Sequence, residues 1–258
     1  MRLSILLILA LASSACFQMT TVLKVNADGS GTIEHRMLYT TAALAQLKQF
    51  AALGRGQGTD PLSEQQAKDL VSSIGPGVSY VSSTPISTPG GKGREAIYAF
   101  TDVTQLRIST QPAAPAGLSV RAQGFSTEGG SVTFSITREP NGNAVVHVIV
   151  PEPDFLNALG TPQAASQLGM IKTLLAGAKV LLAVEPAGVV VRTSSPYIVG
   201  QRVTLLEIDL DEVMKDETII PRLQAAKSQD EAKAVIKSAV GLKINLDRDI
   251  TVEFTPAK

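Results

Sequence analysis

The sequence has 258 residues, and its 23 lysine and arginine residues are balanced by 23 aspartate and glutamate residues. A neutral chain has no general field to attract nucleic acid or anionic lipid, so neither is an expected partner. Aromatic residues make up 4% and tryptophan is absent, which argues against the stacking surfaces that bind carbohydrate or single-stranded nucleic acid. A hydrophobic content of 44% is typical of a packed globular chain.

The first fifteen residues have the three parts of an export signal. Arg2 supplies the basic start, residues 3–12 form an apolar run, and Ser13, Ser14 and Ala15 are small residues of the kind found before a cleavage site. A ten-residue helix is about 15 Å long, whereas the hydrocarbon core of a bilayer is about 30 Å thick. We therefore expect this segment to be removed rather than retained as a membrane span.

Cys16 is the only cysteine of the chain and follows this segment directly. The residues before it resemble the lipobox of bacterial lipoproteins: Ser14 and Ala15 fit, whereas Ser13 stands where an aliphatic residue is usual. We predict a lipoprotein signal peptide over 1–15, acylation of Cys16, and a membrane anchor on the extracytoplasmic side of the cell envelope. The alternative is a secreted protein cut near Ala15 with a free thiol, which is a liability in an oxidising compartment.

The mature chain opens with a predicted hairpin. Strands over 17–25 and 32–39 flank the turn Asn26–Gly31, whose Asp-Gly step favours a tight reversal because glycine adopts positive φ without steric cost. A calcium loop at this place would need carboxylates where Lys24 and His35 stand. The turn interpretation is therefore preferred.

The next elements follow from periodicity and turn chemistry. Ser63 and Gln66 have the spacing of a capping box at the start of the second helix. The Ala/Pro-rich segment 112–117 is the candidate domain boundary. We predict helices over 41–53 and 62–74, and strands over 78–88, 94–103, 118–138 and 144–150.

The second half of the chain is also predicted to alternate between helices and strands. We predict helices over 153–159 and 162–175, strands over 179–184, 189–193 and 202–210, helices over 211–217 and 219–239 with an interruption near Ser228, and a final strand over 250–254. An apolar stripe on the helix 162–175 either packs in the core or lines a groove for an apolar ligand. The residues of this speculative ligand site are Leu168, Ile171, Leu174 and Leu175.

Groups suited to catalysis are few. His35 and His147 lie in predicted strands without a recognisable serine or cysteine nucleophile context, so we interpret both as solvent-facing or hydrogen-bonded at a sheet rim. A hydrolase would have to use paired carboxylates, namely Asp209 with Asp211 or Glu152 with Asp154. The glycine-rich segment 54–58 lacks the lysine of a phosphate-binding loop. We therefore expect no cofactor, no metal and no enzymatic activity.

The order of elements predicts an α+β fold with a mostly antiparallel β-sheet and helices packed on it. Residues 16–258 are expected to form one extracytoplasmic domain, with the weak boundary at 112–117. The helical segment 219–239 offers a further route, in which the protein assembles through an exposed helix.

The two ends of the mature chain resemble the LppM-like bacterial envelope lipoproteins and related proteins of unknown function. The resemblance is carried by the Cys16-proximal strand and the turn Asn26–Gly31, and later by the segments 185–188, 194–200 and 203–211. Leu205 stands where that family usually has an aromatic residue. The resemblance implies a surface-anchored α+β domain with a pocket for a lipid-like ligand. The predicted function is non-enzymatic binding or a structural role at the envelope, with an apolar small molecule or an envelope protein as partner.

Overall fold

The chain enters the fold at strand β1, Phe17–Val25, in the computed structural model, which describes residues 17–45, 60–109, 131–151 and 177–257. β1 pairs antiparallel with β2, Gly31–Tyr39. In the turn between them, Gly29 has φ +87° and the amide of Ser30 donates to Oδ1 of Asp28 at 2.9 Å. The predicted hairpin is confirmed, and the carboxylate of Asp28 serves the turn.

The described residues form two sheets and five short helices, with a helical start at 41–45. The remaining strands are β3 Val78–Thr88, β4 Gly91–Phe100, β5 Ile108–Ser109, β6 Ser131–Arg138, β7 Ala144–Ile149, β8 Lys179–Pro186, β9 Gly188–Thr193, β10 Ile198–Val199, β11 Arg202–Asp209, β12 Leu242–Ile244 and β13 Asp249–Pro256. The helices are α1 Glu64–Asp69, α2 Val71–Ile74, α3 Leu210–Lys215, α4 Ile219–Ala225 and α5 Gln229–Ser238, with a 3₁₀ turn at Val103–Gln105.

The large sheet has the strand order β10-β11-β8-β1-β2-β4-β3, with β12 added beside β11. Among its pairings, β1 with β8 is parallel and the others are antiparallel. The parallel pair joins residues that are more than 150 positions apart in the chain, such as Leu23 and Val184. β1 and β8 therefore bring the start of the described chain and a segment of its second half together at the centre of this sheet.

The small sheet has the order β5-β6-β7-β13-β9 and is antiparallel throughout. One hydrophobic core joins it to the large sheet: Leu23, Tyr98 and Val184 come from the large sheet, whereas Val146 and Phe254 come from the small one. All five side chains are fully shielded from solvent. Burial of apolar surface between the two sheets is therefore the main force that holds them together.

The chain passes from one sheet to the other between β8 and β9. Both strands are predicted correctly, but β8 belongs to the large sheet and β9 to the small one. Gly188 starts β9, and a Cβ at this position would lie 2.1 Å from the carbonyl oxygen of Thr255. Glycine is required here because the neighbouring backbone leaves no room for a side chain.

The helices α3, α4 and α5 build a second hydrophobic cluster. Ile219, Leu223 and Ile236 are among its buried members, and Leu242 and Ile244 of β12 pack against it. Ser228 caps α5, and its Oγ accepts a hydrogen bond from the amide of Glu231. The predicted interruption near Ser228 is therefore confirmed, because the new helix begins there.

The α+β prediction is confirmed at the level of a mainly β structure with fewer helices and a mixed set of strand pairings. The expectation of one sheet is wrong, since two sheets share the core. The predicted helix 62–74 consists of α1 and α2, and Ser63 caps α1 by accepting from the amide of Gln66. The reciprocal half of the capping box is missing, since the amide of Ser63 donates to the carbonyl of Asp60.

Other sequence predictions fall outside the described residues or miss short elements. β4 begins at Gly91, three residues before the predicted strand, and β12 has no counterpart in the sequence prediction. The candidate boundary at 112–117 and the predicted helices at 153–159 and 162–175 lie outside the described residues.

Candidate functional site

The end of the large sheet at which β1 starts is the part of the fold nearest to Cys16; this end is called the anchored edge below. Phe17 is the first residue of β1, so no described linker separates Cys16, itself outside the described residues, from the large sheet. In the same edge Phe17 pairs with Tyr39, and Tyr39 pairs with Lys92 of β4. A group attached to Cys16 would lie within one residue of this edge.

The inner face of the large sheet is the face that packs against the small sheet, with Leu23 and Ile33 in the core. The same face continues towards the start of β1. Met19 lies opposite Met37, and Thr21 lies opposite His35. Thr21 Oγ1 and His35 Nδ1 are 2.9 Å apart and share a hydrogen bond. Although an edge of His35 remains accessible, burial of the ring lowers its pKa to about 4, so the imidazole is neutral at neutral pH.

The outer face of the large sheet carries paired charges in rows across the strands. Lys24 of β1 binds Glu34 of β2, and Arg202 of β11 donates from Nε and Nη2 to Glu185 of β8 at 3.1 and 3.0 Å. The hydrogen bond from its side chain to Glu34 raises the pKa of Lys24 despite partial desolvation. Because each positive side chain is paired with a carboxylate, this part of the outer face carries little net charge.

A shallow groove of about 470 Å³ runs along the outer face between β8, β11 and β12. Leu181 and Thr204 line it, together with the ion pairs of Arg202 with Glu185 and Lys243 with Glu207. The lining mixes an apolar side chain, a hydroxyl and opposite charges. It has the character of a weak contact surface rather than of an enclosed ligand pocket.

Three exposed valines lie on two edge strands, β9 of the small sheet and β10 of the large sheet. Val189 and Val191 belong to β9, and Val199, which is 82% exposed, belongs to β10. The side chain of Gln201, in the turn after β10, contacts β9, because its Oε1 accepts a hydrogen bond from the amide of Val190 at 2.6 Å. The amide of Val190 is therefore occupied, whereas the valine side chains remain available for contact.

The carboxylate pair Asp209 and Asp211 has a structural use. Asp209 Oδ1 accepts from the amide of Glu212 at the start of α3, and its Oδ2 lies 2.6 Å from Lys179 Nζ. Partial desolvation acts to raise the pKa of Asp209, but the hydrogen bonds from Lys179 and from the α3 backbone outweigh it, and the pKa is lowered. A general acid requires the opposite shift. The second pair, Glu152 and Asp154, lies outside the described residues.

His147 lies on the exposed face of the small sheet. Its Nδ1 is 3.4 Å from Oδ1 of Asp249, and Ser135 of β6 is its direct neighbour on the other side. The order serine, histidine, aspartate is that of a hydrolase triad, but these two described side chains, Ser135 and His147, share no hydrogen bond. The site also lies on an open sheet surface, so His147 fits the solvent-facing interpretation.

The remaining predicted sites receive no structural description. The stripe formed by Leu168, Ile171, Leu174 and Leu175 lies outside the described residues, as does Cys16. Within residues 17–45, 60–109, 131–151 and 177–257, no cluster of three histidine, cysteine or carboxylate side chains has the geometry of a metal site. Among the same residues, no helix has the length and hydropathy needed to traverse a bilayer.

The opposed methionines are the feature that sequence reasoning missed. The hairpin is centred on Asp28, so residues equally far before and after Asp28 pair with each other. Met19 and Met37, each nine positions away, are therefore opposite one another. That symmetry was available from the turn alone. Strand alternation then places His35 on the same face as both methionines.

Comparisons with known proteins return little. No protein-family model matches the sequence, and no curated protein is similar enough to be matched. One solved structure, the folded domain of the Mycobacterium tuberculosis LppM protein determined by NMR, aligns with 95% of this chain and 93% of its own. The identity is 10% and the TM-score is 0.34. Similarity at this level does not place the chain in that family, and the resemblance remains a prediction.

Proposed function

We propose that this protein is an extracytoplasmic lipoprotein, anchored by acyl chains on Cys16, that acts at the cell envelope by binding rather than by bond-making. The observation that carries the proposal is the position of Cys16. It ends a segment with the parts of an export signal and stands one residue before the first strand of the fold.

The physical chemistry of the anchor supports stable attachment. Each buried methylene contributes about 0.8 kcal/mol, and one acyl chain alone anchors only marginally. Two or three chains on Cys16 would make release negligible. Because β1 starts at Phe17, the anchored domain would rest directly on the membrane surface rather than hang from a tether.

The far end of the domain is the proposed contact surface for an envelope protein. β1 has nine residues, so its other end lies about 30 Å from Cys16 at about 3.3 Å per residue. Val189, Val191 and Val199 are exposed at that end. A partner that buries these valines would gain apolar contact away from the lipid headgroups.

A non-enzymatic role is favoured by the uses that the likeliest catalytic side chains have in the fold. Asp209 caps a helix and pairs with Lys179, and His147 lies on an open sheet surface beside Asp249. A hydrolase based on these groups would have to give up those contacts.

Mass spectrometry of the N-terminal peptide of protein purified from native membranes tests the anchor. We expect a diacylglyceryl group on Cys16 and loss of residues 1–15. Cys16→Ser should abolish the modification and leave an unprocessed precursor, whereas Ser13→Leu, which supplies the usual aliphatic residue, should preserve it. An unmodified thiol on protein recovered from the growth medium would overturn the proposal.

The carrier alternative can be tested with the same preparation. This alternative rests on the predicted apolar stripe of Leu168, Ile171, Leu174 and Leu175, which lies outside the described residues. Solvent extraction followed by mass spectrometry should then recover an apolar molecule in amounts comparable to the protein. Protein that carries no such molecule would count against a carrier and leave the anchor proposal intact.

A further inference from the structure

Two thioethers and one imidazole share the inner face of the β1–β2 hairpin. Met19 is directly opposite Met37, and His35 is two residues from Met37 on the same strand. Residues directly opposite in an antiparallel pair have Cβ atoms about 4.5–5.5 Å apart. Sulfur lies two bonds beyond Cβ on a flexible side chain, so both Sδ atoms can reach one point above the sheet.

One ring nitrogen of His35 already has a hydrogen-bond partner. Its Nδ1 is engaged by Thr21 Oγ1 at 2.9 Å, which leaves Nε2 as the nitrogen for a ligand. A metal-binding histidine usually has its other nitrogen held by a neighbouring polar group in this way.

Packing among the described residues does not account for the two methionines. Both are only partly buried, as is His35. Neither methionine belongs to the two hydrophobic clusters formed by the described residues or to the side chains packed against them. Both side chains are therefore partly exposed, which leaves room for an ion to approach them.

The surrounding charges decide which ion fits. The inward-facing positions of the described strands β1, β2, β4 and β8 carry no aspartate or glutamate, so hard divalent cations lack oxygen ligands. Arg94, opposite Met37 on β4, is hydrogen-bonded to Leu62 O and Ser83 Oγ. Neutral thioether and imidazole ligands select a soft monovalent ion, above all Cu(I).

We propose that Met19, Met37 and His35 form a three-coordinate Cu(I) site on the inner face of the large sheet. The site requires no acyl chain and stands independently of the lipid anchor. It binds the metal by soft ligands alone, and it leaves Cu(II), Zn(II) and Mg(II) unbound under the same conditions.

Anaerobic titration of the detergent-solubilised full chain with Cu(I), against a chromophoric Cu(I) chelator, tests the site. We expect one Cu(I) per chain. Met19→Leu and Met37→Leu should each weaken binding at least tenfold, and the double variant should lose it. Leucine conserves side-chain volume, so the fold should persist, and unchanged circular dichroism checks this. Met214→Leu, on α3, is the matched control and should bind as the unaltered protein does.

The outcomes separate the site from other sources of Cu(I) binding. Cys16→Ser should retain full Cu(I) affinity, because the thiol is not a ligand of this site. X-ray absorption should report sulfur and nitrogen neighbours around the copper. Failure to compete with the chelator, or binding that survives the double methionine substitution, would refute the proposal.

Discussion

The ionisation of His35 depends on its place on the inner face of the large sheet. The hydrogen bond to Thr21 satisfies Nδ1, while burial makes the charged form costly and lowers the pKa to about 4. From the sequence we predicted that His35 lies in a strand and either faces solvent or is hydrogen-bonded at a sheet rim. The hydrogen bond is confirmed, but the rim is wrong, because β4 and β8 flank the hairpin on both sides.

We predict that His35 makes folding stability depend on pH between about 6.5 and 4. In this window the unfolded chain binds a proton that the folded chain rejects, so stability is full above pH 6.5 and falls as the pH falls. A pKa lowered from 6.5 to about 4 corresponds to about 3 kcal/mol. Urea unfolding at pH 7.5 and pH 4.5 measures the loss.

The matched pair of variants for this experiment is His35→Asn and His147→Asn. Asparagine at 35 can keep a hydrogen bond to Thr21 but does not titrate, so the difference in unfolding free energy between the two pH values should shrink. His147→Asn removes the other histidine and is the control for loss of an imidazole. An identical pH dependence in both variants would show that His35 is not the responsible group.

At the scale of an element, β11 contains an irregularity that Asn245 repairs. The register of β11 against β8 shifts between Thr204 and Leu206, which removes carbonyl groups from the regular ladder. The amide of buried Asn245 donates to Thr204 O at 2.7 Å and to Leu205 O at 3.0 Å. The side chain of Ser195 also donates to Thr204 O.

We predict that Asn245→Asp destabilises the protein by about 3 kcal/mol. The change removes the side-chain donor from two buried carbonyls and places a carboxylate beside them. Thr204 O then keeps only the bond from Ser195, and Leu205 O only the long bond from the backbone amide of residue 245. Asn141→Asp is the isosteric control in the exposed turn before β7: the oxygen it offers to the amide of Asn143 survives the change, and only an exposed contact of its side chain with Glu253 is lost, so its cost should be well below that of Asn245→Asp. Chemical denaturation measures both, and equal effects would contradict this account of the bulge.

The start of α3 offers a second prediction at this scale. Asp209 is both the cap of α3 and the partner of Lys179. Asp209→Ala should cost about 1–2 kcal/mol, whereas Asp209→Ser keeps a capping oxygen and should lose only the ion pair, below about 1 kcal/mol. Urea unfolding of both variants separates the two contributions, and equal losses would mean that the cap contributes nothing.

At the scale of the whole molecule, two hydrophobic clusters coexist. The larger joins both sheets and contains Leu23, Val146 and Phe254, whereas the smaller is built from α3, α4 and α5 and contains Ile236. The two clusters share no buried residue among those described. Segments with separate cores can open in separate steps.

We predict that the helical cluster opens without the sheets. Ile236→Ala should cost about 2–4 kcal/mol of local packing, and it should speed amide hydrogen exchange in α4 and α5 while β1 and β8 keep their protection. Val146→Ala, in the larger core, should speed exchange in both regions. Native-state hydrogen exchange by mass spectrometry measures the pattern, and uniform acceleration by Ile236→Ala would mean that the molecule opens as one unit.

Much of the local structure was predictable. The Asp-Gly turn at 26–31 indicated the first hairpin and implied its register. Ser63 marked a helix start and Ser228 a helix interruption, and the structure confirms both. The apolar start and Cys16 indicated export and an anchor, which remain predictions. These signals succeed because turn geometry, capping and alternation depend on residues within a few positions of one another.

Partner choice across the chain was decided only by the tertiary structure. The parallel pairing of β1 with β8, the passage from one sheet to the other at Gly188, and the position of Asn245 beneath the bulge of β11 all join distant segments. The apolar pattern of a strand shows which of its side chains are buried, but it does not determine which other strand it pairs with. The burial that sets the ionisation of His35 and leaves Met19 facing Met37 comes from those long-range contacts.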